Sequence, residues 1–478
     1  MTRENATLLG KSFHSENNLD EKSLEDESLT RLLAPGIKLI LLKGIPGVGK
    51  TTLATKLLES VDSGTYVSSR VGIRKLSEQN PRIKELELKG KLQELNVESK
   101  KVNYEDMRLG MATDVIEKVL DAVSAKKELI VLDSWDTMTK EMDRLERLKS
   151  EKAIASIIDA SRSRCMFISE EPELTTTDYL VDAIVALNYS DLHGRRLREI
   201  VWEKLRGQPI SDNKQVYTLR DGQFATLPLT RTEGGGQKRR FEPIPHPARY
   251  YSTGSRDLDE FLGGGLRRGS FVLLELGDTV GNNWHHPLYT ALMCNFVMNG
   301  GTCMVVPSLP TTPQMVLDVF VPYVEEELTR SNLRIISFMR TIENPSIVEV
   351  VGKPPEEAYD IQQKTARELK GPEGRTPTLW LLSMDTYETF GGSDQSAMAS
   401  FIARGTASLR QYGDVIVMQA KSSTAARQFL SDNCDLHLKL EEVDGSLIMY
   451  AKRPPTNAYG VAYNFDRGYP QVRLTRIM

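Results

Sequence analysis

The stretch IKLILLKGIPGVGKTT, residues 37–52, decides the fold of this 478-residue chain. Its first eight residues are mostly branched and apolar, which is typical of a buried strand that enters a glycine turn. The residues from Gly44 to Thr51 match the pattern GxxxxGK[ST], and a helical stretch follows them. The glycines let the backbone curl so that N–H groups point at phosphate oxygens, and the helix adds the positive end of its dipole. The sequence therefore predicts a phosphate-binding loop.

Two side chains of this loop and one downstream carboxylate predict binding of ATP with Mg²⁺. We expect Lys50 to bridge the β- and γ-phosphate oxygens and the Thr51 hydroxyl to ligate Mg²⁺. Asp133 ends the apolar run LIVLD, and a carboxylate at such a strand end orients the water shell of the metal. The alternative is an acidic residue that merely ends a strand. The predicted nucleotide-binding residues are Gly44, Ile45, Pro46, Gly47, Val48, Gly49, Lys50, Thr51, Thr52 and Asp133, with Thr51 and Asp133 as metal ligands.

The rest of the first half alternates strand-like and helical segments. The segments TYVSS at 65–69 and CMFIS at 165–169 indicate strands, whereas residues 113–123 place their apolar side chains on one helical face. Such alternation predicts an α/β fold, in which a mostly parallel central sheet is covered by helices on both faces.

The second half repeats this order after a break in composition. TRTEGGGQKRRFEPIPHPA, residues 230–248, has no apolar period and indicates a linker. Beyond it, RGSFVLLELGD parallels the entry strand, TLWLLSMDT the strand of Asp133, and IMYAKRPP the segment around Lys204. We therefore predict two tandem domains of one fold. The predicted boundaries are a mobile tail at 1–28, an ATP-binding domain at 29–229, the linker at 230–248 and a second domain at 249–478.

The second domain carries a degenerate copy of the loop, GDTVGNNWHH at 277–286. Aligned on Gly277, Asn283 replaces the lysine and Trp284 replaces the metal-binding threonine, while Asp385 keeps the strand-end carboxylate. Without the ammonium and the hydroxyl, the main γ-phosphate and metal contacts are lost. We predict a pseudo-ATPase domain that serves as a scaffold or a partner surface.

Two further segments resemble the KaiC-like group of the RecA superfamily. STGSRDLDEFLGGGLRRGS, at 252–270, resembles the segment that opens KaiC domains. RRLREIVWEKLRGQPIS, at 195–211, resembles the segment with the K-x-R-G signature, which places Lys204 and Arg206 at its basic positions. The resemblance implies that these two residues reach the γ-phosphate of a neighbouring subunit in a hexamer-like homo-oligomer, where they would stabilise charge on the transferring phosphoryl group. The alternative is a basic strand that faces solvent.

Nearly the whole chain also resembles the archaeal gas-vesicle regulators of the GvpD family. The similar segments are YVSSRV at 66–71, VLDSWD at 131–136, DGQF at 221–224 and STGSRDLDEFLGGG at 252–265. The resemblance implies a signalling role in which a protein partner, a transcriptional activator, is restrained through basic clusters. The alternative for these clusters is a solvated face or a linker. The corresponding residues are Arg195, Arg196 and Arg198, and Lys238, Arg239 and Arg240.

The catalytic base of the KaiC-like group is missing from its usual place. Members of that group carry paired glutamates after the second strand, whereas this chain has Ser69 and Arg70, neither of which accepts a proton from water at neutral pH. Glu170 and Glu171, at the end of the strand CMFIS, are the nearest replacements. We therefore predict slow hydrolysis and nucleotide-controlled switching, with Lys50, Glu170, Lys204 and Arg206 as the candidate catalytic residues.

These features predict an ATP-binding regulatory ATPase. The alternative is a RecA-like or RadA-like ATPase that acts on DNA in recombination or repair, and a self-phosphorylating kinase ranks below both. The net charge of −4 gives no global attraction to nucleic acid or to an anionic membrane. The four cysteines form no CxxC pair, and the sequence shows neither an apolar signal segment nor a membrane span, so we expect a cytoplasmic protein.

Overall fold

The structure is a computed structural model. Two features predicted from the sequence lie outside the described residues, namely most of the mobile tail and the pair Ser69 and Arg70. Residues 230–236 of the predicted linker lie outside them as well. The described part of the chain comprises residues 27–68, 92–94, 106–171, 173–228, 237–371, 376–391, 405 and 409–478.

The first unit is built on a sheet in which nine strands are seen within the described residues, in the order β3-β2-β4-β5-β1-β6-β7-β8-β9. Strands β1 to β6 pair in parallel, and β7, β8 and β9 continue the sheet as antiparallel strands. The strands are β1 (Leu39–Gly44), β2 (Gly64–Ser68), β3 (Leu92–Glu94), β4 (Leu129–Asp133), β5 (Arg164–Ser169), β6 (Ala183–Leu192), β7 (Arg195–Leu205), β8 (Lys214–Thr218) and β9 (Ala225–Thr226).

Helices cover both faces of this sheet. One apolar cluster packs α2 on one face of β1, and a second packs α3, α4 and α5 on the opposite face. Because both faces are covered, the central strands are apolar along most of their length. The helices are α1 (Glu27–Thr30), α2 (Lys50–Glu59), α3 (Asp106–Ser124), α4 (Trp135–Met138), α5 (Arg144–Asp159) and α6 (Thr176–Leu180), with 3₁₀ turns at Arg31–Leu33 and Arg220–Gly222.

The second unit has a ten-stranded sheet within the described residues, in the order β15-β14-β13-β16-β17-β12-β18-β19-β20-β21, and β10 pairs with β11 beside it. Its strands are β10 (Tyr250–Tyr251), β11 (Leu266–Arg267), β12 (Phe271–Leu276), β13 (Thr302–Val306), β14 (Leu333–Ser337), β15 (Ile347–Glu349), β16 (Thr378–Ser383), β17 (Val415–Lys421), β18 (Leu436–Val443), β19 (Ser446–Arg453), β20 (Tyr459–Asn464) and β21 (Gln471–Arg476). Its helices are α7 (Arg256–Phe261), α8 (Asn282–Met298), α9 (Pro313–Phe320), α10 (Glu326–Asn332), α11 (Pro355–Leu369), α12 (Met384–Gly391) and α13 (Arg427–Asn433).

The two sheets share one strand order, which confirms the predicted α/β fold of two units. Strand β1 lies between β5 and β6, and β12 lies between β17 and β18 in the same way. Both sheets also have a register shift at the same point of the first antiparallel pair, next to Ile184 in the first unit and next to His437 in the second. In the described residues, no helix is long and apolar enough to cross a bilayer.

A carboxylate is buried in the middle of the second sheet. Glu275 on β12 is only 2% exposed and accepts hydrogen bonds from His437 Nε2 and Lys452 Nζ, both at 2.8 Å, and from Ser422 Oγ at 2.9 Å. Although burial alone opposes ionisation, these donors hold the pKa of Glu275 well below its usual range. The bonds of this carboxylate to His437 and Lys452 therefore connect β12 with β18 and β19.

Candidate phosphate-binding site

The loop after β1 has a backbone that only glycine adopts readily. The φ angles are +151° at Gly44, +81° at Gly47 and +100° at Gly49. A Cβ atom at Gly44 would lie 2.5 Å from the carbonyl oxygen of Leu187, so a side chain there is excluded sterically as well. Helix α2 begins at Lys50, directly after the last of these glycines. The loop thus brings a helix N-terminus to the carboxyl end of a central strand, as the sequence predicts.

The ammonium group of Lys50 lies within this loop. The side chain is 8% exposed, and its Nζ donates to the carbonyl oxygens of Gly44 at 2.6 Å and Ile45 at 3.1 Å. The same Nζ lies 3.9 Å from Glu170 Oε1. A buried ammonium with a carboxylate beside it, next to a helix N-terminus, is suited to an anionic ligand.

Oxygen ligands converge beside Lys50. The hydroxyl of Thr51 donates to Asp133 Oδ2 at 3.0 Å, and the hydroxyl of Tyr66 donates to the same oxygen. Burial, and then the charge of Asp133, raise the pKa of Tyr66, so it stays a neutral donor. Mg²⁺ is usually held by one or two carboxylates together with phosphate and water oxygens, and the Thr51–Asp133 pair fits that pattern. Tyr66 was not predicted, because a lone tyrosine in a strand gives no functional signal.

The two candidate acids after β5 point to different partners. The backbone N–H of Glu170 is held at 2.5 Å by Asp136 Oδ2, and its carboxylate faces Lys50. Glu171 instead pairs with Arg147 at 3.4 Å. Of the two, Glu170 is the acid at the phosphate-binding loop.

Side chains of strands β7 and β8 contact the loop, which the sequence did not predict. Arg198 Nη1 donates to the carbonyl oxygen of Gly47 at 3.2 Å, and the hydroxyl of Tyr217 donates to the carbonyl oxygen of Val48 at 2.5 Å. Burial raises the pKa of Tyr217 to about 12, so this donor is neutral as well. The available signal was the cluster containing Arg198, which the sequence assigned to partner binding.

The predicted trans-acting residues lie away from this chain's own loop. On β6, Leu187 pairs with Gly44 at the end of β1, and Tyr189, two residues further on, pairs with Arg198 of β7. Lys204 of β7 instead pairs with Ile184, towards the amino end of β6. Lys204 Nζ donates to the carbonyl oxygen of Asp178 at 2.9 Å, and Arg206 Nη1 to Asp182 Oδ1 at 2.9 Å. Burial, and then Arg206, lower the pKa of Lys204. Both basic side chains therefore bond to residues between 178 and 182 of their own chain, and neither bonds to the loop within the described residues.

The other basic residues are divided between the interior and the surface. Arg195 donates to the carbonyl oxygens of Thr456 at 2.7 Å and Ala451 at 2.9 Å in the second unit, whereas Arg196 lies over the ring of Tyr189 in its own unit. The cluster on β7 is therefore largely a contact between the units. In the second cluster, Lys238, Arg239 and Arg240 are exposed.

The degenerate loop differs from the expected alignment by one residue. Residues 45–49 separate β1 from α2, and residues 277–281 separate β12 from α8. Lys50 therefore corresponds to Asn282 and Thr51 to Asn283, instead of Asn283 and Trp284. The loop forms a closed turn, in which Val280 N donates to the carbonyl oxygen of Gly277 at 3.1 Å. Lys421 Nζ, at the end of β17, donates to the carbonyl oxygen of Val280 at 2.7 Å.

The predicted strand-end carboxylate of the second unit is also displaced. Strand β16 ends at Ser383, and Asp385 lies in the first turn of α12. There its carboxylate accepts bonds from Ser383 Oγ at 2.6 Å and from the backbone N–H of Thr386 at 2.8 Å. A carboxylate is favourable near a helix N-terminus, so Asp385 stabilises the first turn of α12, whereas Asp133 lies at the end of β4.

Comparison with known proteins agrees with this geometry. Residues 34–203 match the family model described as GvpD gas vesicle protein, P-loop domain. The chain is 26% identical to protein GvpD2 of Halobacterium salinarum, over 92% of this chain and 93% of the relative. It is 23% identical to protein GvpD1 of the same organism, over 92% and 94%. The chain is a GvpD-like protein. The predicted resemblance to GvpD is thereby confirmed, and the match to the GvpD P-loop domain spans the loop, Asp133 and Glu170.

Proposed function

We propose that this GvpD-like protein is an ATP-binding regulatory P-loop ATPase of the cytoplasm, with slow hydrolysis in its first unit. The observation that carries the proposal is the convergence of Lys50, Thr51, Asp133 and Glu170 on one glycine loop. The second unit acts as a KaiC-like pseudo-ATPase, because asparagines replace both the lysine and the threonine of the loop. The proposed domains are 29–229 and 249–478, joined by the linker 230–248.

The loop residues fit ATP with Mg²⁺. The Lys50 ammonium and the backbone N–H groups between Gly44 and Thr52, a donor that only Pro46 lacks, would hold the phosphates, while Thr51 and Asp133 would hold the metal. Bound Mg²⁺ would neutralise charge on the β- and γ-phosphate oxygens. Lys50 gives up its bonds to the Gly44 and Ile45 carbonyl oxygens when it turns to an anionic ligand.

Glu170 is the proposed base for the slow reaction. Its side chain is 24% exposed, so water can reach it, and its backbone is fixed by Asp136. Its Oε1 lies 3.9 Å from Lys50 Nζ, so the carboxylate is close to where the γ-phosphate would be held.

Replacement of Glu170 by glutamine is expected to lower ATP turnover by about 100-fold, since general base catalysis contributes about 10²–10⁴-fold. The affinity for Mg·ATP is expected to be retained, because glutamine has nearly the same shape. Phosphate release and equilibrium binding would be measured on wild type and Glu170→Gln. Glu171→Gln is the matched control, since Glu171 pairs with Arg147. Equal turnover in wild type and Glu170→Gln would exclude Glu170 as the base.

The proposed output is regulation through a protein partner in a gas-vesicle circuit. The matched family is described as a gas vesicle protein, and both relatives bear GvpD names. The partner class that the family resemblance implies is a transcriptional activator. The exposed cluster Lys238, Arg239 and Arg240 is the basic surface that stays accessible for it.

Lys204 and Arg206 are proposed to act on ATP bound by a neighbouring copy of the chain. The Arg206 side chain is 61% exposed and is held by Asp182 near the amino end of β6, so a second copy can approach it.

Arg206→Ala is expected to retain ATP binding but to lower turnover by at least about 100-fold, since arginine fingers contribute about 10³–10⁵-fold. Mass in solution and turnover would be measured with ATP. Arg330→Ala, which removes a 64% exposed arginine also in an ion pair, is the control. A monomer with full turnover would contradict the trans role.

A further inference from the structure

Arg198 contacts the phosphate-binding loop and the second unit at the same time. It is 7% exposed, and its Nη1 donates to the carbonyl oxygen of Gly47 at 3.2 Å. Its Nε donates to the main-chain oxygen of Met478, beyond β21. The guanidinium is a rigid planar fork, so its two acceptors are held in one fixed relation.

The neighbouring strand repeats this double contact. On β8, the hydroxyl of Tyr217 donates to the carbonyl oxygen of Val48 at 2.5 Å. The next residue, Thr218, donates from its hydroxyl to the carbonyl oxygen of Arg476 at 2.8 Å. Two adjacent strands thus each contact the loop and also residues 476–478 of the second unit.

Apolar packing fixes these two strands on the second unit. Buried side chains from β7, β8 and the segment after β9 form one cluster with side chains of the second unit. Burial of each large side chain stabilises this contact by about 1.5–3 kcal/mol, so the strands cannot shift freely. The members of the cluster are Leu197, Val216, Leu227, Ile448, Tyr450, Ala458 and Ile477.

We propose that Arg198 couples the phosphate-binding loop to the second unit, so that nucleotide in the loop alters the contacts of residues 471–478. The coupling rests on the proposed ATP binding. Arg198 and Tyr217 donate to the carbonyl oxygens of Gly47 and Val48, in the same loop whose N–H groups would hold the phosphates. If nucleotide reorients these peptide groups, both carbonyl oxygens move. The second unit in turn sets the affinity of the loop for ATP, because coupling between two sites is reciprocal.

Hydrogen–deuterium exchange with and without Mg·ATP tests the coupling. In wild type, ATP is expected to change exchange in residues 44–53 and also in residues 471–478. In Arg198→Ala, the change in 471–478 is expected to disappear and ATP affinity to fall by at least about 5-fold, the lower end of typical coupling. Arg198→Lys keeps the charge but loses the fork, and is expected to behave like Arg198→Ala.

Two neighbouring arginines supply matched controls. Arg195→Ala removes a contact with the second unit that does not involve the loop, and Arg196→Ala removes an arginine stacked on Tyr189. Both are expected to retain the ATP affinity and the ATP-induced change in 471–478. Loss of that change in Arg196→Ala would show that any change on β7 suffices, and would overturn the role of Arg198.

The outcomes separate this inference from the proposed function. If wild type binds ATP and exchange in 471–478 is unaltered, the coupling is wrong and the proposed function stands. If wild type does not bind ATP, the proposed function fails. The physical connection between the loop and residues 471–478 can then still be tested by hydrogen–deuterium exchange on the ligand-free protein. There Arg198→Ala is expected to accelerate exchange in both 44–53 and 471–478, and acceleration in only one of them would contradict the link.

Discussion

Lys50→Ala is expected to weaken ATP binding by about 100-fold. Hydrogen bonds to charged groups contribute about 1.5–3 kcal/mol each, and tenfold in affinity corresponds to about 1.4 kcal/mol. The ammonium already lies inside the loop, within 3.1 Å of the carbonyl oxygens of Gly44 and Ile45, and it would exchange these two acceptors for phosphate oxygens. Titration calorimetry with Mg·ATP would measure the loss.

The matched control for this prediction lies on the same helix. Lys56→Ala removes a lysine from the last turn of α2, and this residue is expected to leave ATP affinity unchanged. Circular dichroism would establish that both variants are folded. Equal affinities in wild type and Lys50→Ala would mean that phosphates are not held by this loop.

Glu275→Gln is expected to lower the free energy of unfolding at pH 7 by about 3 kcal/mol. Glutamine cannot compensate the Lys452 ammonium, and loss of one partner from a buried ion pair costs about 3–5 kcal/mol. The folded-state pKa of Glu275 lies below its unfolded value of about 4.3. The stabilisation is therefore fully present above that pH and declines as pH falls towards the folded pKa.

Urea unfolding of wild type and Glu275→Gln at pH 7 and pH 4 would test both parts of this prediction. The difference between the two proteins is expected to be smaller at pH 4. Glu260→Gln, at an exposed position on α7, is the control and is expected to change stability by less than about 0.5 kcal/mol. A difference that grows as the pH falls would show that Glu275 is not held in its charged form.

The features that sequence predicted correctly are those encoded locally. Residues 37–59 contain, in order, the strand, the glycine turn, the lysine and the helix, so the phosphate-binding loop can be predicted without any tertiary information. The same holds for the two sheets, because each central strand is a short apolar run.

The features that sequence missed depend on pairing between distant strands. Arg198 reaches Gly47 because β7 pairs antiparallel with β6 beyond the edge of β1, and no local pattern encodes that register. The degenerate loop was misaligned by one residue, because Gly277 follows the strand whereas Gly44 ends it. Asp385 was misassigned because a carboxylate after an apolar run also suits the first turn of a helix.

The most direct test of the central claim is the number of ATP molecules bound per chain at saturating Mg·ATP. Equilibrium dialysis on wild type is expected to give one ATP per chain, because the first loop has its lysine, threonine and carboxylate, whereas Asn282 and Asn283 stand at the lysine and threonine positions of the second. With free ATP at about ten times the wild-type Kd, Lys50→Ala, whose affinity is about 100-fold lower, is expected to bind only about 0.1 ATP per chain. Two ATP molecules per wild-type chain, none at all, or one that persists in Lys50→Ala would contradict the account.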